Sequence, residues 1–331
     1  MPTPEPRRLR AVDTLEVCVL VDNTLDILSS VPDCVTSEVQ NVLAAGAKEL
    51  SGSCLCCAAW GLSLVIRVQA GGVAHTLLFD AGPEAYAFER NSKRLGVRLA
   101  DVGCVALSHG HFDHAGGMPR ALTLIAEANG GRAVPVHVNP GMFVERAFAR
   151  PDGTRLPLGR VPSPEELQHA GGEVVSSGEP RLVCGDMVYL SGEIPRRTTY
   201  ERGLPAQIRR GEDGEWVPDP LVLDERFLAV HVEDRGVVVF SACSHAGIVN
   251  VLMHAAETFD PLPLHGVMGG LHLAGKTQES WIDDTIRDLR PFGLARLVPG
   301  HCTGWRALSA LTRAFGDAVI PGAVGQVHRF G

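Results

Sequence analysis

The stretch "SHGHFDHAGG", residues 108–117, places three histidines and one aspartate within six consecutive positions, directly after an apolar run at 102–107. A strand that ends in a loop can turn several side chains toward one point, and in extended chain residues two apart face the same way. His109 and His111 are therefore expected to reach one cation, and Asp113 and His114 a second. Neutral imidazole with carboxylate suits zinc first, with manganese or iron as alternatives. Gly110, Gly116 and Gly117 allow close backbone approach around these groups. A solvated loop that is histidine-rich by chance would not need a strand before it and a helix after it. A closed structural zinc site is usually richer in thiolate, whereas this set leaves room for water.

The remainder of the chain bounds what such a site can serve. With 331 residues, 45% of them hydrophobic, it is long enough for a full-sized core. A formal charge of -8 offers no general attraction to nucleic acid or anionic lipid, so a small-molecule substrate is the expected partner. No apolar window is long enough to span a bilayer, and the start "MPTPEPRRLR" lacks an apolar signal core, which makes the cytoplasm the expected compartment. A homo-oligomer is compatible with these properties. Nine cysteines, an odd number spread over a large chain, are expected as reduced thiols. Cys54 and Cys57 form a C-x-x-C, but no second pair exists to complete a structural zinc site.

Along the chain, residues 1–12 read as a flexible Pro-rich arm, and "LEVCVLVDN" (15–23) as a buried strand followed by a loop-rich stretch. "GLSLVIRVQAGGVAHTLLFDAG" (61–82) reads as a hairpin closed by Asp80. "MPRALTLIAEANGG" is a helix with Pro119 in its first turn, and "AVPVHVNP" a strand. The pattern weakens over 141–225, read as an accessory insertion around one helix, "SPEELQHAGG", which Ser163 and Glu166 start as a capping box. From Phe227 the rhythm returns with a hairpin, a helix from Ile248, the strand "LHGVMGG", a helix over 279–289 and the strand "ARLVPGH". Hairpins and helices in two β-rich halves predict an α/β (α+β) fold in a single domain over 1–331, with helices on the outer faces of sheets.

The segment His109-Gly110-His111-Phe112-Asp113-His114 resembles the H-x-H-x-D-H signature of the metallo-β-lactamase superfamily. That resemblance implies an αββα sandwich of two mixed sheets with one or two metals at an edge between them. It also implies that Asp80 in "LLFDAG" supports the site and that His301 in "VPGHCTG" is a late ligand. The blocks "VLVDN", "GLSLVI", "SGEIPR", "CSHAGIVN", "GGLHL" and "PGHCTG" resemble the branch of 7,8-dihydropterin-6-methyl-4-(β-D-ribofuranosyl)aminobenzene 5'-phosphate synthase-like proteins. Two departures stand out. Where the superfamily carries a bridging aspartate, this chain has Cys243, with His245 two residues on; the branch pattern favours His245 as ligand over Cys243. Where a third-motif histidine is expected, Glu193 stands.

The implied metal set is thus His109, His111, Asp113, His114, His245 and His301, with Asp113 also catalytic. Asp80, His272 and Glu193 are expected behind the ligands or on the substrate side. His272 closes a strand in "GGLHL" and is a candidate for proton transfer. A cation held this way makes hydroxide available near neutral pH. The first expectation is therefore a metallohydrolase, zinc-dependent and binuclear, acting on an ester, lactone, amide or phosphoester through metal-bound hydroxide. The alternatives are the branch's condensation, which releases pyrophosphate, and a metal-binding protein without catalysis.

Overall fold

The computed structural model describes residues 9–331. Among them the strands form three sheets. The first has eight strands in the order Val35–Thr36, Val327–Arg329, Thr14–Val21, Ser63–Ala70, Val73–Phe79, Val102–Ala106, Val134–Val138, Gly172–Ser176. The second has six, in the order Arg181–Val183, Val188–Leu190, Leu228–Val232, Gly236–Ser241, Leu264–Gly270, Arg296–Gly300. Both are mixed. Antiparallel hairpins such as Ser63–Ala70 with Val73–Phe79 adjoin parallel pairs such as Val73–Phe79 with Val102–Ala106.

Strand alternation explains the layering. In Thr14–Val21, Leu15, Val17 and Val19 point into a core that Leu64, Ile66, Leu77, Phe79, Leu228, Val230, Val238 and Phe240 fill from the strands of both sheets. On the outer face of the first sheet, the helix Met118–Ala128 buries Met118, Ala121, Leu122 and Ile125 against Val105, Val134 and Val136. The helices Ile248–Phe259, Ile282–Leu289 and Trp305–Phe315 cover the second sheet with Val251, Leu252, Ile282, Leu289, Ala307 and Leu311. The result is helix, sheet, sheet, helix, as the resemblance implied.

Three readings change. Residues 1–8 of the expected arm lie outside the described residues. Beyond them, Val12 is fully buried and pairs with Val232, so the ordered chain starts before residue 13. The loop-rich stretch after Asn23 contains a helix, Glu38–Ala44, started by a capping box of Ser37 and Gln40. The region 141–225 is also not one insertion. Gly172–Ser176 completes the first sheet, and Arg181–Val183 and Val188–Leu190 extend the second. Only two pieces stand apart, pairing as a four-stranded sheet in the order Trp216–Pro218, Gln207–Arg210, Arg146–Ala149, Arg155–Pro157. Their short, charged strands hide an integral role, because the two hairpins join only through Arg146–Ala149 and Gln207–Arg210, some sixty residues apart.

Candidate metal centre

Strand ends deliver every candidate donor. The strand Val102–Ala106 runs into Ser108, and the helical turn Phe112–Ala115 begins directly after His111. In the second sheet, Gly236–Ser241, Leu264–Gly270 and Arg296–Gly300 lie side by side and parallel, so Cys243, His245, His272 and His301 emerge at one edge. Four residues there, Asp80, Ser244, His272 and His301, have φ between 44° and 60°. Non-glycine residues hold that left-handed conformation only where their surroundings enforce it.

Among the described residues five overlapping groups of three donors result, and two of them, both buried, share no residue. In one, His109 Nε2 lies 3.0 Å from His111 Nδ1 and 3.1 Å from His245 Nε2. In the other, Asp113 Oδ2 lies 3.4 Å from His301 Nε2 and 3.8 Å from His114 Nε2. Cys243 stands between them, its Sγ 3.1 Å from His114 Nε2. Cys243 Sγ also lies within 4.8 Å of donor atoms of His245 and His272, so both residues reach the cluster.

The partners of the remaining ring atoms fix where the lone pairs point. Asp80 accepts from the Ser108 amide, from the Ser108 hydroxyl and from His114 Nδ1, each at 2.7 Å. Having donated to Asp80, the Ser108 hydroxyl accepts from His109 Nδ1, which leaves His109 Nε2 bare toward the centre. His111 Nε2 donates to Gln207 Oε1, leaving Nδ1 bare. The Gln207 amide in turn donates to Asp219, and Arg146 ties Asp219, Asp224 and the Gly110 carbonyl together. Glu225 accepts from the amides of His245 and Ala246, and Asp22 from that of His301. Ser108, Gln207, Glu225 and Asp22 were not singled out from sequence, because each acts through partners that folding alone selects.

The electrostatics of the two groups differ. Burial, with neighbouring histidines and Arg146, holds His109 and His245 well below the usual imidazole range and His111 at about 3. They are neutral imidazoles that meet nitrogen to nitrogen with no protons to share. Burial works against ionisation of Asp113, but His114 and His301 hold its carboxyl below the usual carboxylate range. Burial also opposes the charge on His114, which Asp113 and Asp80 nonetheless push up to about 9.

His272 joins the cluster, its ring 4.5 Å from that of His245 and only partly buried. Glu193 does not. The strand Val188–Leu190 ends before it, and its exposed side chain lines a separate cavity of about 590 Å³ with Arg146, Asp219 and Asp224. Cys54 and Cys57 also lie outside the donor groups.

A sequence model of the family described as the metallo-beta-lactamase superfamily matches residues 60–175. A curated protein of Methanocaldococcus jannaschii, named 7,8-dihydropterin-6-methyl-4-(beta-D-ribofuranosyl)-aminobenzene-5'-phosphate synthase, is 29% identical over 273 residues, 82% of this chain and 90% of that protein. An uncharacterized protein of the same organism is 27% identical, over 76% of this chain and 87% of its own length. Among solved structures, a metal-dependent hydrolase of the beta-lactamase superfamily, Tm1679, shares the fold with a TM-score of 0.67 and 23% identity, covering 96% of this chain and 98% of that one. The H-x-H-x-D-H loop, the sandwich and these similarities agree: the chain resembles the metallo-β-lactamase superfamily, whose sequence model matches residues 60–175 and whose fold it shares.

Proposed function

We propose that this protein is a metal-dependent hydrolase of a small-molecule ester, lactone, amide or phosphoester. His109, His111 and His245 would hold one cation of the zinc class, and Asp113, His114 and His301 a second. The observation that carries the reading is the convergence of these six buried side chains as two adjoining groups of three donors. The residues fit a cation: three neutral imidazoles aim bare nitrogens at one another, and the Nδ1 atoms of His245 and His301 are buried without a hydrogen-bond partner.

When bound, such cations supply Lewis acidity and a strong nucleophile from water near neutral pH. The chain's own groups do the remaining work. Asp113, ionised and partly reachable, orients an attacking water and accepts its proton. His272 lies at the partly exposed side of the cluster; burial lowers it, but Cys302 and Glu225 outweigh that and keep it inclined to hold a proton for a leaving group. Asp80, through Ser108 and His114, keeps both donor groups aimed during turnover. The nine free cysteines suit a reducing compartment such as the cytoplasm.

The second reading is condensation of a reduced pterin with an aminobenzene ribofuranosyl phosphate, releasing pyrophosphate. It is supported by the similarity to the methanogen synthase, which runs through most of both chains. The test is elemental analysis of the purified protein followed by a turnover screen with zinc, manganese or iron. The substrates are lactones, phosphodiesters, β-lactams and the pterin–aminobenzene pair. One to two metals per chain and hydrolysis of one class are expected, both lost in His111→Ala. Turnover confined to the pterin pair would select condensation. Metal without turnover would select a binding protein, and a folded chain that takes up no metal would overturn the reading.

A further inference from the structure

Cys302 follows His301 and is buried, as is Cys243 across the strand ends. Their sulfurs, with a ring nitrogen of His301, lie within 4.8 Å of one another. The Cys302 thiol also points at the Cys243 carbonyl, 3.5 Å away. Cys243 Sγ further belongs to groups of the same span with His109 and His114, and with His245 and His272. Buried free cysteines are usually small core hydrophobes. These two instead face a cluster of imidazoles in which His301 and His272 each keep a ring nitrogen without a hydrogen-bond partner.

The backbone makes room for this. A Cβ on Gly270 would lie 2.6 Å from Cys302 Sγ and 3.3 Å from His301 Cδ2, so the strand approaches the thiol as closely as only glycine allows. Two sulfurs, Cys243 and Cys302, therefore stand beside the imidazoles at these strand ends. We propose that Cys243 and Cys302 are thiolate donors to the metal centre, a two-sulfur, one-imidazole set with His301. This set makes the centre select thiophilic divalent cations, zinc or cobalt, over magnesium and manganese. Imidazole and carboxylate alone would not discriminate so strongly against the harder ions, whereas thiolate does. The proposal rests on the metal-centre reading above and adds donors that reading does not require.

Cobalt(II) tests both separately. The full-length protein is stripped with chelator and reloaded with cobalt, and its absorption spectrum is recorded. Thiolate bound to cobalt gives an intense near-ultraviolet charge-transfer band that nitrogen and oxygen donors lack. The band is expected in the wild type, with about half lost in each of Cys243→Ser and Cys302→Ser and all of it in the double variant. X-ray absorption of the zinc-loaded wild type should show a sulfur shell at about 2.3 Å, which guards against variants that misfold. Cobalt bound without the band, or zinc without the sulfur shell, overturns the thiolate proposal and leaves the metal centre standing. Failure to bind any cobalt or zinc overturns both.

Discussion

His111 Nδ1 is bare toward the centre because Gln207, 96 residues further along the chain, accepts from its Nε2. Gln207→Ala should free the ring to turn and to change tautomer. Loss of such an orienting partner typically lowers metal affinity by about 10–100-fold, which competition with a chromogenic chelator would measure. Unchanged affinity would mean that packing alone orients His111. The same residue marks what sequence reveals at this scale. His109, His111, Asp113 and His114 are legible because one loop holds them at fixed spacing after one strand. Gln207 is not, because its role exists only once a small sheet folds against that loop. Cys302 went unread for a different reason: a cysteine beside a histidine has no meaning until Cys243 is brought to it across the strand ends.

Among elements, the short strand Val327–Arg329 carries a large electrostatic liability. His328 is almost fully buried within it, and burial, with the Arg296 cation nearby, holds it at about 3, against 6.5 when unfolded. Its folded pKa is depressed, so below pH 6.5 the unfolded chain takes up a proton that the folded one refuses. The contribution is therefore fully present above 6.5 and is lost as pH falls toward 3. Between pH 7.5 and 5.5 the loss from this group should be about 1.4 kcal/mol, and His328→Asn should flatten that part of the urea-derived stability profile. Elements with regular apolar patterns were readable from sequence, including Leu264–Gly270 residue for residue. Those overlooked, such as Glu38–Ala44, are short and lean on caps rather than on an apolar stripe. The S-x-x-Q of Ser37 and Gln40 was nevertheless there to be read.

At the scale of the molecule, the centre joins two layers. His109, His111, Asp113 and His114 follow a strand of the first sheet, while Cys243, His245 and His301 follow strands of the second. A cation held by both sets binds the folded state and not the separated halves, so chelation should lower the thermal midpoint. Restoring zinc to about a thousandfold above its dissociation constant should return about 4 kcal/mol, read by calorimetry at fixed protein concentration. An identical melt with and without metal would mean that no cation binds the folded state more tightly than the unfolded one.

The order of strands in the first sheet also bears on biosynthesis. Val327–Arg329 lies between Thr14–Val21 and Val35–Thr36, so a strand made among the first waits for one made some three hundred residues later. Until then Thr14–Val21 presents a bare edge, apolar on its inner face, to everything around the ribosome. His301 also emerges late, so neither the finished sheet nor the full donor set exists on a nascent chain. On the proposed function, a complete donor set would therefore form only after His301 is made, and the growing chain is the form in greatest need of a chaperone.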